Sequence, residues 1–110
     1  MIFVDGRIAL AVLFSVATAG RCLAVEVEQG RRLAERLCAA CHMKEGHGEI
    51  TGPLGVPSFQ AIADRRSLDH ARIVAWLRSK PPMMPDPTVT WDEADALAAF
   101  ILSLRSKRAQ

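Results

Sequence analysis

Cys38-Ala39-Ala40-Cys41-His42 constrains this chain more than any other stretch. Two thiols three residues apart, with an imidazole directly after, admit few chemistries. A redox-active dithiol of the thioredoxin type needs a βαβ setting, and no strand pattern surrounds the motif. Zinc could take Cys38, Cys41 and His47, with His70 as a fourth ligand. A structural zinc site normally shows a second ligand pair at regular spacing, and none is visible. A disulfide between Cys38 and Cys41 would close a very small loop and stabilise little. Yet a chain of 110 residues that sheds its first two dozen has a marginal core and usually needs a staple. Something larger than a disulfide must fill its middle.

The N-terminal residues set the compartment. Ile8 to Ala19 is an apolar run of twelve residues. That is short for a transmembrane helix and suits the h-region of a secretory signal. Small-x-small sites end at Ala19 and at Ala24, and cleavage after Ala24 is the preferred expectation because it also removes Cys22. Residues 1–24 are therefore read as a signal peptide and 25–110 as the exported domain. That domain keeps 12 Lys plus Arg against 11 Asp plus Glu. Such a balance argues against nucleic acid, whose binders carry a strongly basic face.

The remaining reading of the motif is attachment of a c-type haem, for which Cys-x-x-Cys-His is the specific signature. Cysteines at i and i+3 on a helical turn share a face. They can reach the two vinyl groups of a porphyrin and form thioethers, with His42 then under the iron as proximal ligand. Export agrees, because this haem is joined to its protein outside the cytoplasm. A large, flat, apolar body also answers the small-core problem.

Along the exported part, residues 28–41 read as a helix with Leu33 and Leu37 on one face. Gly30 inside it costs about 1 kcal/mol against alanine, which invites close approach of another helix. Gly and Pro recur through residues 44–57, a loop. Phe59, Ile62 and Ala63 suggest one or two helical turns. Ser67 is the expected N-cap of the next helix, whose inner face is Ile73, Val74 and Leu77. Four prolines within residues 81–87 forbid helix and sheet and stiffen the chain. Thr90-Trp91-Asp92-Glu93 forms a capping box, and Leu97, Phe100, Ile101 and Leu104 recur at helical spacing. Arg105, Lys107 and Arg108 sit at the negative end of that helix dipole.

A second axial ligand decides between electron transfer and an open haem site. Met43 adjoins His42 and cannot reach the opposite face. His47 reads as a solvated loop residue and His70 as a surface residue of its helix. Met83 and Met84, in the proline loop, remain. A stiff loop would hold a thioether at constant distance from iron, and a soft thioether favours Fe(II).

Over residues 28–104 the sequence resembles the class I cytochromes c, small bacterial ones in particular, through "CAACH" and "MPDPTVT". The resemblance implies an all-α cytochrome c fold, three main helices plus short helical turns around one covalently bound haem c. It implies thioether links at Cys38 and Cys41 and His42 as proximal iron ligand. In the family the distal methionine directly precedes a proline, which points to Met84, with Met83 the alternate. A glycine eight residues before the first motif cysteine packs there on an aromatic of the last helix, matching Gly30 and Phe100, with Leu97 one turn earlier. A family proline carbonyl accepts the proximal histidine's Nδ1 proton. Pro53 and Pro57 are both available, and Pro53 is the choice made here. Trp76 is similar to tryptophans that bond a haem propionate, core packing being the plainer role. Arg65 and Arg66 read as a solvated pair, and Ala34 stands where an aromatic is common.

The resulting expectation is an exported, non-enzymatic monohaem carrier of single electrons in the periplasm, with redox proteins as donor and acceptor and peripheral or no membrane association. The alternatives are a fixed subunit of a larger dehydrogenase or oxidase, and a haem protein with an open sixth site.

Overall fold

The computed structural model of the protein describes residues 6–42 and 55–106, with side chains from Cys22 onward. Met43, His47, Pro53, Lys107 and Arg108 lie outside the described residues, as do the side chains of the apolar run. Among the described residues there are four helices and no strand: α1 (Gly6–Leu37), α2 (Phe59–Ala63), α3 (His70–Arg78) and α4 (Trp91–Ser103). None of them is long and apolar enough to cross a membrane among the described residues.

α1 differs from expectation at both ends. It begins at Gly6 rather than near residue 28, because no proline interrupts Arg7 to Glu28 and strong helix formers bridge the two parts. It ends at Leu37, so the cysteines lie beyond it. The expected inner face is then shared out unevenly: Leu33 and Ala34 are buried while Leu37 is exposed. The outer face carries the spaced ion pairs Glu28–Arg31, Glu28–Arg32 and Arg31–Glu35, exposed and screened by solvent, so they contribute little to stability.

Gly30 explains how α1 meets α4. A Cβ built at this position would stand 1.9 Å from the Ala96 carbonyl oxygen and 2.8 Å from Phe100 Cβ. Only a hydrogen fits there, so the two backbones approach as closely as the expected Gly30–Phe100 crossing requires. Ala94, Ala96 and Ala98 are buried on α4 beside Leu97, Phe100 and Ile101. Ala34, in place of an aromatic, is 1% exposed, so the packing closes around it.

α4 begins as the sequence foretold. Thr90 Oγ1 accepts from the Glu93 N–H at 3.2 Å, and Glu93 Oε1 accepts from the Thr90 N–H at 3.0 Å. α3 corrects the expected cap. Asp69, not Ser67, is the N-cap, its carboxylate accepting from the Arg72 N–H at 2.8 Å. Ser67 instead offers its carbonyl to the Arg72 guanidinium at 2.7 Å, since residues 65–68 turn back on themselves through Leu68 N–H to Arg65 O. Ile73, Val74 and Leu77 are buried as expected. Trp76 is not: it is 56% exposed, which rules out core packing, because it falls on the flank of that face.

α2 is a helix of five residues, too short to be stable alone. Ser58 caps it, accepting from the Ala61 N–H. The rest of its support comes from the end of α4. Gln60 donates to Leu104 O at 2.6 Å, and Asp64 Oδ1 accepts from the Ser106 N–H at 2.8 Å. Arg105 donates through Nε to Ala63 O at 2.6 Å and through Nη2 to both Arg65 O and Leu68 O. The cation expected to serve the dipole of α4 therefore serves the carbonyl end of α2.

Two predictions follow from this packing. Gly30→Ala should lower stability by about 1–3 kcal/mol, as overpacking does, although alanine is the better helix former. An unchanged or raised urea midpoint would contradict the close crossing. The second concerns acid. The Thr90 N–H holds the Glu93 carboxyl below its ordinary range, and the Ser106 N–H, then Gln60, does the same for Asp64. A depressed carboxylate stabilises the fold fully above its unfolded pKa, about 4, and that stabilisation is lost as pH falls through the lower folded value. The melting temperature should therefore drop below about pH 4, and less steeply in the Asp64→Asn, Glu93→Gln double variant. An identical drop in both proteins would contradict this assignment.

Candidate haem-binding site

The end of α1 delivers the motif. Beyond Leu37 the chain leaves the helix through Cys38 N–H and Ala39 N–H, both bonded to Ala34 O. It then closes an isolated turn in which Cys41 N–H and His42 N–H both bond to Cys38 O, the latter at 2.9 Å. Cys38 and Cys41 thus belong to a turn rather than to the helix, and the i, i+3 spacing still keeps them adjacent. Cys38 is half-buried and packs against the core, whereas Cys41 is exposed, and neither is in a disulfide. Burial pushes the Cys38 thiol above its ordinary pKa.

His42 is fixed from two directions. Its Nδ1 lies 2.7 Å from the carbonyl oxygen of Pro57. A carbonyl can only accept, so Nδ1 carries the proton, and in the neutral ring Nε2 is the nitrogen with the open lone pair. The choice of Pro53 is corrected here: the partner is Pro57, whose carbonyl immediately precedes the Ser58 cap and is held in place by α2. Phe59, the first residue of α2, stacks on the imidazole with centroids 5.7 Å apart and planes at 22°. Phe59 meets Phe100 edge-on at 5.8 Å, so the ring stack rests on the same part of α4 that receives Gly30. The sequence reading did not assign Phe59 to the site. Its place next to Pro57, at the start of a short apolar cluster, was the available signal.

The proline loop is held at its ends. Pro81 and Val89 are buried. The Arg78 guanidinium donates to Val89 O and lies 4.7 Å over the Trp91 ring, joining the end of α3 to the start of α4. Lys80 and Thr88, with φ of 53° and 51°, bracket the loop in left-handed conformations, uncommon for a β-branched residue such as Thr88. Thr88 N–H bonds to Asp86 Oδ1 at 2.9 Å, and Lys80 pairs with Asp86 at 3.8 Å. Within this frame the two methionines differ sharply. Met83 is 94% exposed, whereas Met84 is half-buried and packed against the core, its N–H bonded to Pro81 O.

The other candidates separate from the site. His70 pairs with Asp95 at 3.0 Å across α3 and α4, a surface pairing that accounts for it without a metal. No group of three or more His, Cys, Asp or Glu side chains converges among the described residues, which leaves the zinc reading without support there.

The residues present fit a haem. The donors on offer are an imidazole whose Nδ1 is already engaged by Pro57, a half-buried thioether and two neighbouring thiols. Two thiols three residues apart beside such an imidazole suit a covalently attached haem c. The core fits as well. Among the described residues, five of the fourteen buried apolar residues are alanines, Ala34, Ala63, Ala94, Ala96 and Ala98, a small interior that an added apolar body would complete.

Comparison with known proteins agrees. A family model described as "Cytochrome C oxidase, cbb3-type, subunit III" matches residues 25–101. The cytochrome c-552 of Bradyrhizobium diazoefficiens is 33% identical over 94 residues, covering 86% of this chain and 89% of that protein. No solved structure matches the chain.

Proposed function

The chain belongs to the small class I c-type cytochromes and carries haem c, and on that premise we propose that it is an exported carrier of single electrons with His42 and Met84 as axial ligands. The observation that carries this reading is the 2.7 Å bond between His42 Nδ1 and Pro57 O. It leaves Nε2 as the one ring nitrogen able to bind iron. It also adds electron density to the ring, strengthening it as a ligand. Haem supplies one-electron Fe(III)/Fe(II) chemistry when bound. Cys38 and Cys41 would hold it through thioethers.

On the other side, Met84 would supply the sulfur. Its half-burial and the anchoring of its loop at Pro81 and Val89 support this role over that of Met83, whose side chain is left to solvent. The hydrogen bonds of Arg78, Asp86 and Thr88 limit how far the loop can move. A loop so restrained changes little between oxidation states, which keeps reorganisation small. Trp76, exposed on α3, is available to a haem propionate.

Export would remove residues 1–24, with Ala19 as the alternative end. Cys22, Leu23, Ala24 and Val25 are all exposed, whereas packing of α1 starts at Val27 and Gly30. Cleavage there would therefore cost the domain little. The carrier would work in the periplasm between redox proteins, with an almost balanced surface charge that gives weak electrostatic steering. A second reading is favoured by the description of the matching family, which names an oxidase subunit. In that case the protein would co-migrate with an oxidase on native purification, whereas a free carrier would elute alone.

Met84→Ala should abolish the weak red absorption band of Fe(III)–thioether bonding and lower the midpoint potential, while Met83→Ala leaves both unchanged. A band lost in Met83→Ala and kept in Met84→Ala would transfer the ligand role.

A further inference from the structure

His42 is held by Pro57 and Phe59, and both belong to the entry and first turn of α2. A helix of five residues cannot fix them unaided. What fixes them lies some forty residues further on. Arg105 donates to the carbonyls of Ala63, Arg65 and Leu68. These are the last residue of α2 and the turn that follows it. Three acceptors on one guanidinium make a charge-assisted fork at the negative end of α2. Gln60 and Asp64 add neutral and backbone-directed bonds to Leu104 and Ser106, whereas Arg105 reaches both the end of α2 and the turn leading into α3.

We propose that Arg105 is a positioning residue for the haem: by clamping the C-terminal end of α2 to α4, it sets the His42–Pro57 hydrogen bond and through it the reduction potential. The proposal rests on His42 being an axial ligand. Arg105 does not touch the imidazole and acts along the backbone from Ala63 to Pro57. Phe59 lies between Phe100 and His42, so both ends of this short path bear on α4. Without the clamp α2 would be freer to move, the Nδ1–H···O bond would lengthen on average, and the ring would donate less to iron. Less donation disfavours Fe(III), so the potential should rise.

The test uses the holoprotein. Arg105→Ala should raise the Fe(II)/Fe(III) ratio two- to tenfold at fixed applied potential, an upward shift of about 20–60 mV for a one-electron couple. Amide exchange over residues 59–63 should quicken at least about tenfold as that segment opens locally. Arg105→Lys, which keeps the charge and loses the planar fork, should fall between. His70→Ala removes the surface pair with Asp95 between α3 and α4, away from α2 and the proline loop, and serves as a control for general loosening, leaving the potential where it is. An unchanged potential in Arg105→Ala would overturn the proposal, even with faster exchange. So would an equal shift in His70→Ala. Failure of the ligand reading is separate and shows in a protein with Arg105 intact, as a haem spectrum that His42→Ala leaves unaltered.

Discussion

The hydrogen bond from His42 to Pro57 is the contact on which the rest of the site depends. A free imidazole interconverts between two tautomers and rotates about its side chain. Donation to a backbone carbonyl ends both freedoms and commits the other nitrogen to whatever it faces. The cost is that the carbonyl must itself be held still. α2 does this, with Ser58 buried at its cap and Phe59 against the ring, and α2 in turn leans on the C-terminal half of α4. α1 reaches the same stretch of α4 through Gly30. The motif at the end of α1 and the carbonyl ahead of α2 are thus referenced to a single helix.

That arrangement suits a domain whose own interior is small. Gly30 allows α1 and α4 to approach, and close approach leaves little room for bulky side chains. Leu97 is the one large apolar residue less than 2% exposed among the described residues. Close helix packing and a large core are competing uses of the same volume. A covalently held haem resolves the competition, supplying apolar area that need not come from the chain.

Parts of this were legible in the sequence because they are local. The spacing of Cys38, Cys41 and His42 encodes its chemistry within five residues. Thr90 and Glu93 encode a capping box within four. Gly30 was legible because a glycine at the centre of a helix needs a reason, and resemblance to a known family supplied Phe100 as its partner. Elsewhere the outcome depended on where distant chain segments lie. Pro53 and Pro57 offer identical carbonyls, and the path of the chain, not its composition, picks Pro57. Ser67 and Asp69 are both good caps, and the turn at residues 65–68 uses up the first. Arg105 looked like a cation for its own helix dipole, yet its acceptors stand about forty residues earlier. Trp76 fell on the flank of a face whose centre was correctly read.

Nitrogen-15 NMR of histidine-labelled, reduced holoprotein tests the central claim most directly. The account predicts that His42 carries a proton on Nδ1 alone, that this proton exchanges slowly with water, and that Nε2 bears none. A His42 ring with its proton on Nε2, or with an Nδ1 proton exchanging as fast as that of a solvated imidazole, would contradict it.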